Sequence, residues 1–302
     1  MIIAIVGPTA SGKSAVAIAL ARRLKAEIIS FDSLQIYKYL NIGTAKPRRA
    51  ELRKARHHLI GICDPVEEFN AGMFVRLAEK KIEQLAKQKK NVILVGGTGL
   101  YLKALLEGLS EAPPQDRQFR RRMAVQAQKY GKKYLHNKLC KIDPIAAARI
   151  HPNNVERVIR ALEIYYQTGK PFSQWQRQTA APRYQARIIG LSRNRQKLYA
   201  RIDQRVEEMF RQGLVREVRS LIKRGYSPKL KPMQSLGYRQ VCQYLAGKLT
   251  LAAAIYQTKL ETRHYAKRQL SWFRHTKGIK WFPIKNDLDN KTLRRMVEYV
   301  KV

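Results

Sequence analysis

Acidic residues are scarce in this chain. Among 302 residues, 22 Asp and Glu stand against 60 Lys and Arg, a formal net charge of +38 at pH 7, far more than solubility requires. The first physical reading of such an excess is a polyanionic partner; a generally basic proteome is the bland one. The shortage is also uneven. Residues 1–114 carry 18 basic and 10 acidic side chains, residues 115–190 carry 16 and 4, and residues 191–302 carry 26 and 8. A protein that held only a small phosphate has no use for that distribution, whereas one gripping a nucleic-acid backbone does. Cysteine is equally thin: Cys63, Cys140 and Cys242 lie far apart with no C-x-x-C pair. That argues against a zinc site or a disulfide framework and suits a reducing cytoplasm. No apolar run approaches the roughly 20 residues of a membrane span. MIIAIV runs at once into a glycine-rich loop, so it reads as a buried strand and not as a signal peptide. Internal repeats and low-complexity tails are missing too. The expectation is a soluble, cytoplasmic protein with no membrane partner.

What is present begins with alternation. MIIAIVG, EIIS and NVILVGG read as buried strands, and SAVAIALARRLKA, AGMFVRLAEKKIEQLAKQKK and LYLKALLEGL read as helices between and after them. Continuous apolar strands alternating with helices imply a parallel sheet covered on both faces. The pattern breaks at EAPPQD (Glu111 to Asp116), a Pro-containing joint. From Arg117 to about Arg177 every signal is helical, in RQFRRRMAVQAQKY, KYLHNKLCKI, DPIAAARI and NVERVIRALEIYYQTGK. ARIIGLS returns as a strand, followed by the helices RQKLYARIDQRVEEMFRQG, GLVREVRSLIKRG and LAAAIYQTKLETRHYAKRQLSWFR and a last strand, IKWFPI. The predicted organisation is an α/β core over 1–114 and 187–302, interrupted by an all-helical insertion domain over 115–186.

Gly7, Pro8, Thr9, Ala10, Ser11, Gly12, Lys13 and Ser14 spell G-x-x-x-x-G-K-S between a strand and a helix, the context that this phosphate-binding loop requires. Its backbone N–H groups form an anion nest, Lys13 reaches a phosphate oxygen, and the Ser14 hydroxyl can sit on Mg²⁺. The fold class is therefore α/β, a P-loop NTPase-like parallel sheet flanked by helices. The loop states that a di- or triphosphate binds; it does not state which bond breaks. In an open parallel sheet, ligands bind at the carboxyl ends of strands. Asp32 ends the second predicted strand and Thr98, in GGTGLY, ends the third. Taken alone, Asp32 also suits a helix N-cap and Thr98 a turn. A kinase more often has an acid for Mg²⁺ at the end of the third strand, and none stands there. A small-molecule kinase and a non-enzymatic RNA-binding protein stay open at this point.

The segments GPTASGKS, FDSLQIYKYLNIGTAKP, HHLIGICDP and VGGTGLYLKALLEGL, in that order, resemble the tRNA dimethylallyltransferase (tRNA isopentenyltransferase) family. DPIAAARIHPNNVERVIRALEIYYQTGKPFS, LYARIDQRVEEMF, MQSLGYRQ and YAKRQLSWFR extend the likeness from residue 1 to about 283. There are departures. Phe69 stands in EEFNAGMF where Tyr is common, and KYLN precedes IGTAKP where Arg or Lys, Gly and Asp are more usual. The cysteine count leaves no place for the zinc finger of eukaryotic members, which points to a bacterial-type enzyme.

The resemblance implies transfer of a five-carbon allylic group from dimethylallyl diphosphate to N6 of adenosine 37 in tRNAs that read codons beginning with U, with Mg²⁺ as cofactor and diphosphate released. Partners are then the tRNA anticodon stem-loop and dimethylallyl diphosphate, and a monomer is expected. Residues 7–14 hold the diphosphate, and Ser14 takes the metal. Asp32 matches the base that removes the N6 proton, Thr98 the threonine near the bridging oxygen, and Arg205 the arginine on the diphosphate; Lys13 completes that group. On periodicity alone Arg205 reads as a solvated helix residue. Ser33, Leu34 and Gln35, with Asp32 and Thr98, match the segments that meet the target adenine. Arg120 matches a tRNA contact, as do Glu156, Arg157 and Arg160, then Gln234, Gly237 and Arg239, and finally Lys267, Arg268, Trp272 and Arg274. Trp272 and Phe273 between cations suit RNA stacking; an amphipathic helix that buries Leu270 and Phe273 is the alternative.

Overall fold

The computed structural model describes residues 1–109, 113–177, 183–285 and 288–301. The first two residues of the EAPPQD joint, Glu111 and Ala112, lie outside these. The chain divides into two compact units, one of Met1–Leu106 with Tyr184–Val302 and one of Glu107–Arg183. The second thus starts ahead of the Pro-containing joint.

Along the first segment run β1 (Ile2–Val6), α1 (Lys13–Leu24), β2 (Ala26–Ser30), α2 (Arg49–Lys54), β3 (His57–His58), α3 (Ala71–Lys87), β4 (Asn91–Val95) and α4 (Gly99–Glu107). The helical unit holds α5 (Arg117–Tyr130), α6 (Lys132–Ile142), α7 (Pro144–Arg149), α8 (Val155–Thr168) and α9 (Phe172–Arg177). The chain returns through β5 (Arg187–Ser192), α10 (Arg195–Arg211), α11 (Leu214–Lys223), α12 (Tyr238–Leu245), α13 (Leu251–Arg274), β6 (Ile279–Pro283) and α14 (Asn290–Lys301). Caps set several boundaries. Asp116 accepts from the amides of Gln118 and Phe119 to start α5. Asp143 accepts from Ala146, ahead of Pro144 at the first position of α7.

The six strands form one parallel sheet in the order β3-β2-β4-β1-β5-β6. NVILVGG is therefore the fourth strand in chain order and not the third. The missed strand, β3, is two residues long, too short for periodicity to reveal. It is held by the Ile28 amide, which donates to Arg56 at 2.8 Å, and by side chains. α2, α12 and α14 were likewise not read from the pattern. On one face Ile3, Ile5, Ile28, Ile93, Ile189 and Leu191 pack with Val16, Leu20 and Leu24 of α1 and Leu293, Met296 and Val300 of α14. In the helical unit Phe119, Met123, Leu135, Leu139, Val158 and Leu162 form a separate core. Because β1 is flanked by β4 and β5, the chain runs to one side after β1 and to the other after β4. That arrangement is a topological switch point, which opens a crevice at the strand carboxyl ends.

At the opposite, amino end of β2, the buried Glu27 accepts from His58 Nε2 at 2.6 Å and pairs with Lys90. Burial alone would raise the Glu27 carboxyl, but the hydrogen bonds from Lys90 and His58 outweigh it and hold the group below its ordinary value. A depressed carboxylate stabilises the fold above its unfolded value near 4.5, and the stabilisation is lost as pH falls through the lowered folded value. Glu27→Gln is expected to lower stability at pH 7 by about 1–3 kcal/mol. It should also flatten the decline in Tm below pH 4.5, measured by thermal melts across pH; an unchanged acid limb would contradict this role for the carboxylate.

Candidate active site at the carboxyl end of the sheet

The loop between β1 and α1 is built for an anion. Gly7 has φ +140°, and a Cβ there would lie 2.7 Å from the Leu191 carbonyl oxygen, so only glycine fits. Lys13 opens α1 and folds back, donating through Nζ to the Gly7 and Pro8 carbonyls at 2.8 and 2.7 Å. Burial, and next the neighbouring Arg205, pull its ammonium down to about 7, with Asp32 opposing. Ser14 is exposed on the first turn of the helix, and the Ser11 hydroxyl is buried without a hydrogen-bond partner. Two cations that the sequence reading missed grip the loop from outside. Arg193 Nε donates to the Ser11 carbonyl at 3.1 Å, and Arg201 Nε donates to the Ala10 carbonyl at 3.4 Å. Arg201 and Arg205, four apart on α10, share a helix face, a signal the sequence carried.

β2 ends at Ser30, and Asp32 opens the turn that follows. Its Oδ1 accepts from the Leu34 and Gln35 amides at 2.9 and 3.2 Å, so the side chain caps a turn and not a helix. Both bonds fall on one oxygen and leave Oδ2 for chemistry. Thr98, just past β4, meets this turn: its Oγ1 accepts from the Ser33 amide at 3.1 Å and donates to Ser33 Oγ at 3.3 Å. Gln35 has a different place from the one expected. Its Nε2 donates to the Thr44 and Ala45 carbonyls, and its Oε1 accepts from Ser30, so its amide braces the loop.

α13 ties these pieces together. The buried Gln269 accepts from the Thr9 amide through Oε1 at 2.8 Å and donates through Nε2 to the Gly97 carbonyl at 3.0 Å. A Cβ on Gly97 would lie 2.1 Å from that amide nitrogen, and one on Gly96 would lie 2.7 Å from the Phe31 backbone, which explains the paired glycines in GGTG. One turn on, Trp272 packs over Gly99. Of the aromatic pair, Phe273 is 1% exposed and belongs to the core, whereas Trp272 is 44% exposed. Phe273 therefore offers no stacking surface.

A cavity of about 430 Å³ lies among these elements, lined by Thr9, Asp32, Ser33, Leu34, Gly43, Thr44, Arg205, Val206, Met209, Ser235, Leu236, Gly237, Arg239, Thr258, Glu261, Thr262, Tyr265 and Arg268. That volume is in the range of small-molecule sites. Burial lowers the Arg205 guanidinium, with Asp32 opposing. Burial, and then the charge of Asp32, raise the Tyr265 phenol; the phenol is thus held protonated beside the carboxylate. Arg239 pairs with Glu261 on the wall. Lys267 and Arg274 are exposed on α13, and Gln234 is exposed and bonded to the Pro228 carbonyl. Tyr265, Val206 and Met209 escaped sequence reading because helical spacing alone reads them as core, and Gln269 because its partners, Thr9 and Gly97, are far away in the chain.

The remaining expected RNA contacts lie in the helical unit. Glu156 and Arg157 are exposed on the first turn of α8. Arg120 and Arg160 are committed elsewhere. Arg120 holds Glu163 through two bonds of 2.9 Å, and Arg160 holds the same carboxylate at 2.6 Å and the Pro113 carbonyl at 2.7 Å. Glu163 is fully buried and requires that compensation, so both guanidinium groups serve the unit's interior before any phosphate.

Comparison with known proteins finds relatives along almost the whole chain. The family model of IPP transferases matches residues 35–276. The tRNA dimethylallyltransferase of Desulforudis audaxviator is 45% identical over 284 residues, covering 94% of this chain and 92% of the relative. That of Geobacillus kaustophilus is 46% identical over 280 residues, covering 92% and 89%. Among solved structures, the tRNA isopentenylpyrophosphate transferase of Bacillus halodurans has a TM-score of 0.74 at 40% identity, covering 99% of this chain and 96% of its own. A eukaryotic dimethylallyltransferase acting on tRNA has a TM-score of 0.83 at 29% identity, covering 98% and 77%.

Gln269→Leu keeps the volume and removes both bridging bonds, leaving the Thr9 amide and Gly97 carbonyl unpaired. The expected loss is about 1–3 kcal/mol of stability, with inorganic diphosphate binding weakened several-fold when measured by calorimetry. Unchanged diphosphate affinity would show that the bridge does not shape the loop.

Proposed function

The chain belongs to the IPP transferase family, and on that premise we propose that it transfers a dimethylallyl group from dimethylallyl diphosphate to N6 of adenosine 37 in tRNAs reading codons that start with U. The products are N6-(dimethylallyl)adenosine and diphosphate. One observation carries the reading: a single cavity is lined by Thr9 of the phosphate loop, by Asp32 and Arg205, and by apolar Leu34, Val206, Met209 and Leu236. A donor that is half diphosphate and half hydrocarbon needs that mixture, and a nucleotide triphosphate does not. No helix among the described residues is long and apolar enough to cross a membrane; the cytoplasmic location proposed for the enzyme follows from its tRNA substrate.

The exocyclic amine of adenine is a poor nucleophile because its lone pair is delocalised into the ring. Asp32 Oδ2 accepts the N6 proton as nitrogen bonds the allylic carbon and the carbon–oxygen bond to diphosphate breaks; a positioned base of this kind contributes about 10²–10⁴-fold. The electron pair leaves with the bridging oxygen, where Thr98 Oγ1, Lys13, Arg205 and the loop amides oppose the developing charge. To reach Asp32 the base has to leave the anticodon-loop stack. Exposed cations, among them Arg157, Lys267 and Arg274, hold the RNA backbone electrostatically.

The donor set suits Mg²⁺ that enters with its substrate. No group of three or more His, Cys, Asp or Glu among the described residues could cage a metal, and Mg²⁺ is usually held by one or two protein oxygens plus phosphates. Ser14 Oγ is the proposed protein ligand, and the bound ion would add charge stabilisation on the leaving diphosphate.

Purified protein given unmodified tRNA and labelled dimethylallyl diphosphate should pass label to the tRNA, while γ-labelled ATP should pass none to RNA or small acceptors; the reverse pattern would favour a kinase. Asp32→Asn keeps the turn cap and removes the base. In single-turnover assays transfer should fall by at least about 10²-fold, with tRNA affinity within a few-fold of wild type. Near-normal turnover would remove Asp32 as the base. tRNA affinity should fall steeply with salt in filter binding, and a flat response would contradict the electrostatic grip.

A further inference from the structure

Resting on that reading, we propose that Glu217 is a positioning residue for the transfer: from outside the cavity, its carboxylate clamps the loop that forms the acceptor wall. The loop 41–45 follows the Asp32 turn and contains no helix or strand. Three of its successive amides converge on one carboxylate. Asn41 and Ile42 donate to Glu217 Oε2 at 3.1 and 2.9 Å, and Ile42 and Gly43 donate to Oε1 at 3.1 and 3.4 Å. The hydroxyl of the fully buried Tyr238 donates to the same Oε1 at 2.6 Å. Consecutive amides aimed at one point form an anion nest, and here a side chain of α11 fills it.

The consequence reaches the site through the next residues. Gly43 and Thr44 line the cavity beside Asp32 and Ser33, while Glu217 lines a separate groove with Tyr39, Asn41, Arg216 and Arg224. Glu217 therefore acts on the cavity indirectly, through the loop and through Tyr238, which follows the lining residues Leu236 and Gly237. Gly43 is backed by the Tyr238 ring, where a Cβ would lie 2.4 Å from a ring carbon, so the loop cannot retreat in that direction. From the opposite flank Gln35 Nε2 holds the Thr44 and Ala45 carbonyls. The loop is fixed at both ends of the stretch that meets the cavity, and at the Glu217 end the three amides are held by a charge. Release of that end shifts the wall against which a flipped base rests. It leaves untouched the phosphate loop, which is tied to α13 and α10.

Glu217→Gln preserves size while removing the charge and one acceptor oxygen. In hydrogen–deuterium exchange the amides of residues 41–43 should open at least about tenfold faster, because the charge and one of the two oxygens that hold them are gone. The transfer rate at saturating tRNA should fall by about tenfold or more, since small misplacement is costly. The Kd values for dimethylallyl diphosphate and for tRNA should stay within about threefold of wild type, as neither phosphate grip uses the clamp. Tyr238→Phe, which removes only the hydroxyl, should shift both readouts in the same direction by less, and it serves if the first variant does not fold. Val300→Ala, a core lesion on the far side of the sheet, is the stability control and should leave the transfer rate and the exchange of 41–43 unchanged. Unaltered exchange in the clamp variants, a transfer rate within twofold of wild type, or an equal loss of diphosphate affinity would overturn the proposal. A wild-type enzyme that transfers no label would instead overturn the functional reading, and the exchange rates would still decide whether Glu217 holds the loop.

Discussion

The site depends on one buried amide. Gln269 joins the Thr9 amide of the phosphate loop to the Gly97 carbonyl past β4, and it does so from α13, a helix of 24 residues that also supplies Tyr265 and Arg268 to the cavity. Loops at strand ends carry backbone groups that have no sheet partner. A side chain that satisfies one donor and one acceptor at once fixes the separation of two such loops. The geometry demands glycine at 97, because any Cβ would displace the amide. The parallel sheet brings the strand ends together, and this bridge sets where they stop.

Around that frame the charge is arranged with little acid. Among the described residues, Asp32 and Glu261 are the carboxylates on the cavity wall, and Glu261 is paired with Arg239. Lys13, Arg193, Arg201 and Arg205 gather about the phosphate loop. Their crowding out of water is visible in the Lys13 ammonium, drawn down to about 7 by burial and by Arg205. Such a cluster is costly without an anion and favourable with one. It therefore favours an anionic ligand, with Asp32 next to it.

Much of this was legible in the sequence. The glycine loop between strand and helix, the strand-end Asp32 and Thr98, and the alternation that forces a parallel sheet all follow from local pattern, and the observed sheet carries them on one edge. The rest was set by distant contacts. β3 exists because Glu27, 31 positions from His58, holds it. Gln35 turned inward because the carbonyls it satisfies come from its own loop, and Arg120 and Arg160 were claimed by Glu163, a carboxylate whose complete burial no periodicity shows. Phe273 and Trp272 are adjacent on one helix, yet a 100° step separates a core residue from an exposed one. The sequence displayed the chemistry of each side chain; what it could not display was which polar partners were already spoken for.

The central claim is that residues 7–14 hold a prenyl diphosphate so that Asp32 Oδ2 meets N6 of an extruded adenine. A crystal structure with an unreactive dimethylallyl diphosphate analogue and an anticodon stem-loop tests it most directly. The account predicts the diphosphate on the loop amides and Lys13, the hydrocarbon against Val206, Met209 or Leu236, and N6 within hydrogen-bond reach of Asp32. An adenine left in its stack, or Asp32 turned away from N6 to ligate metal on a bound nucleotide, would contradict it.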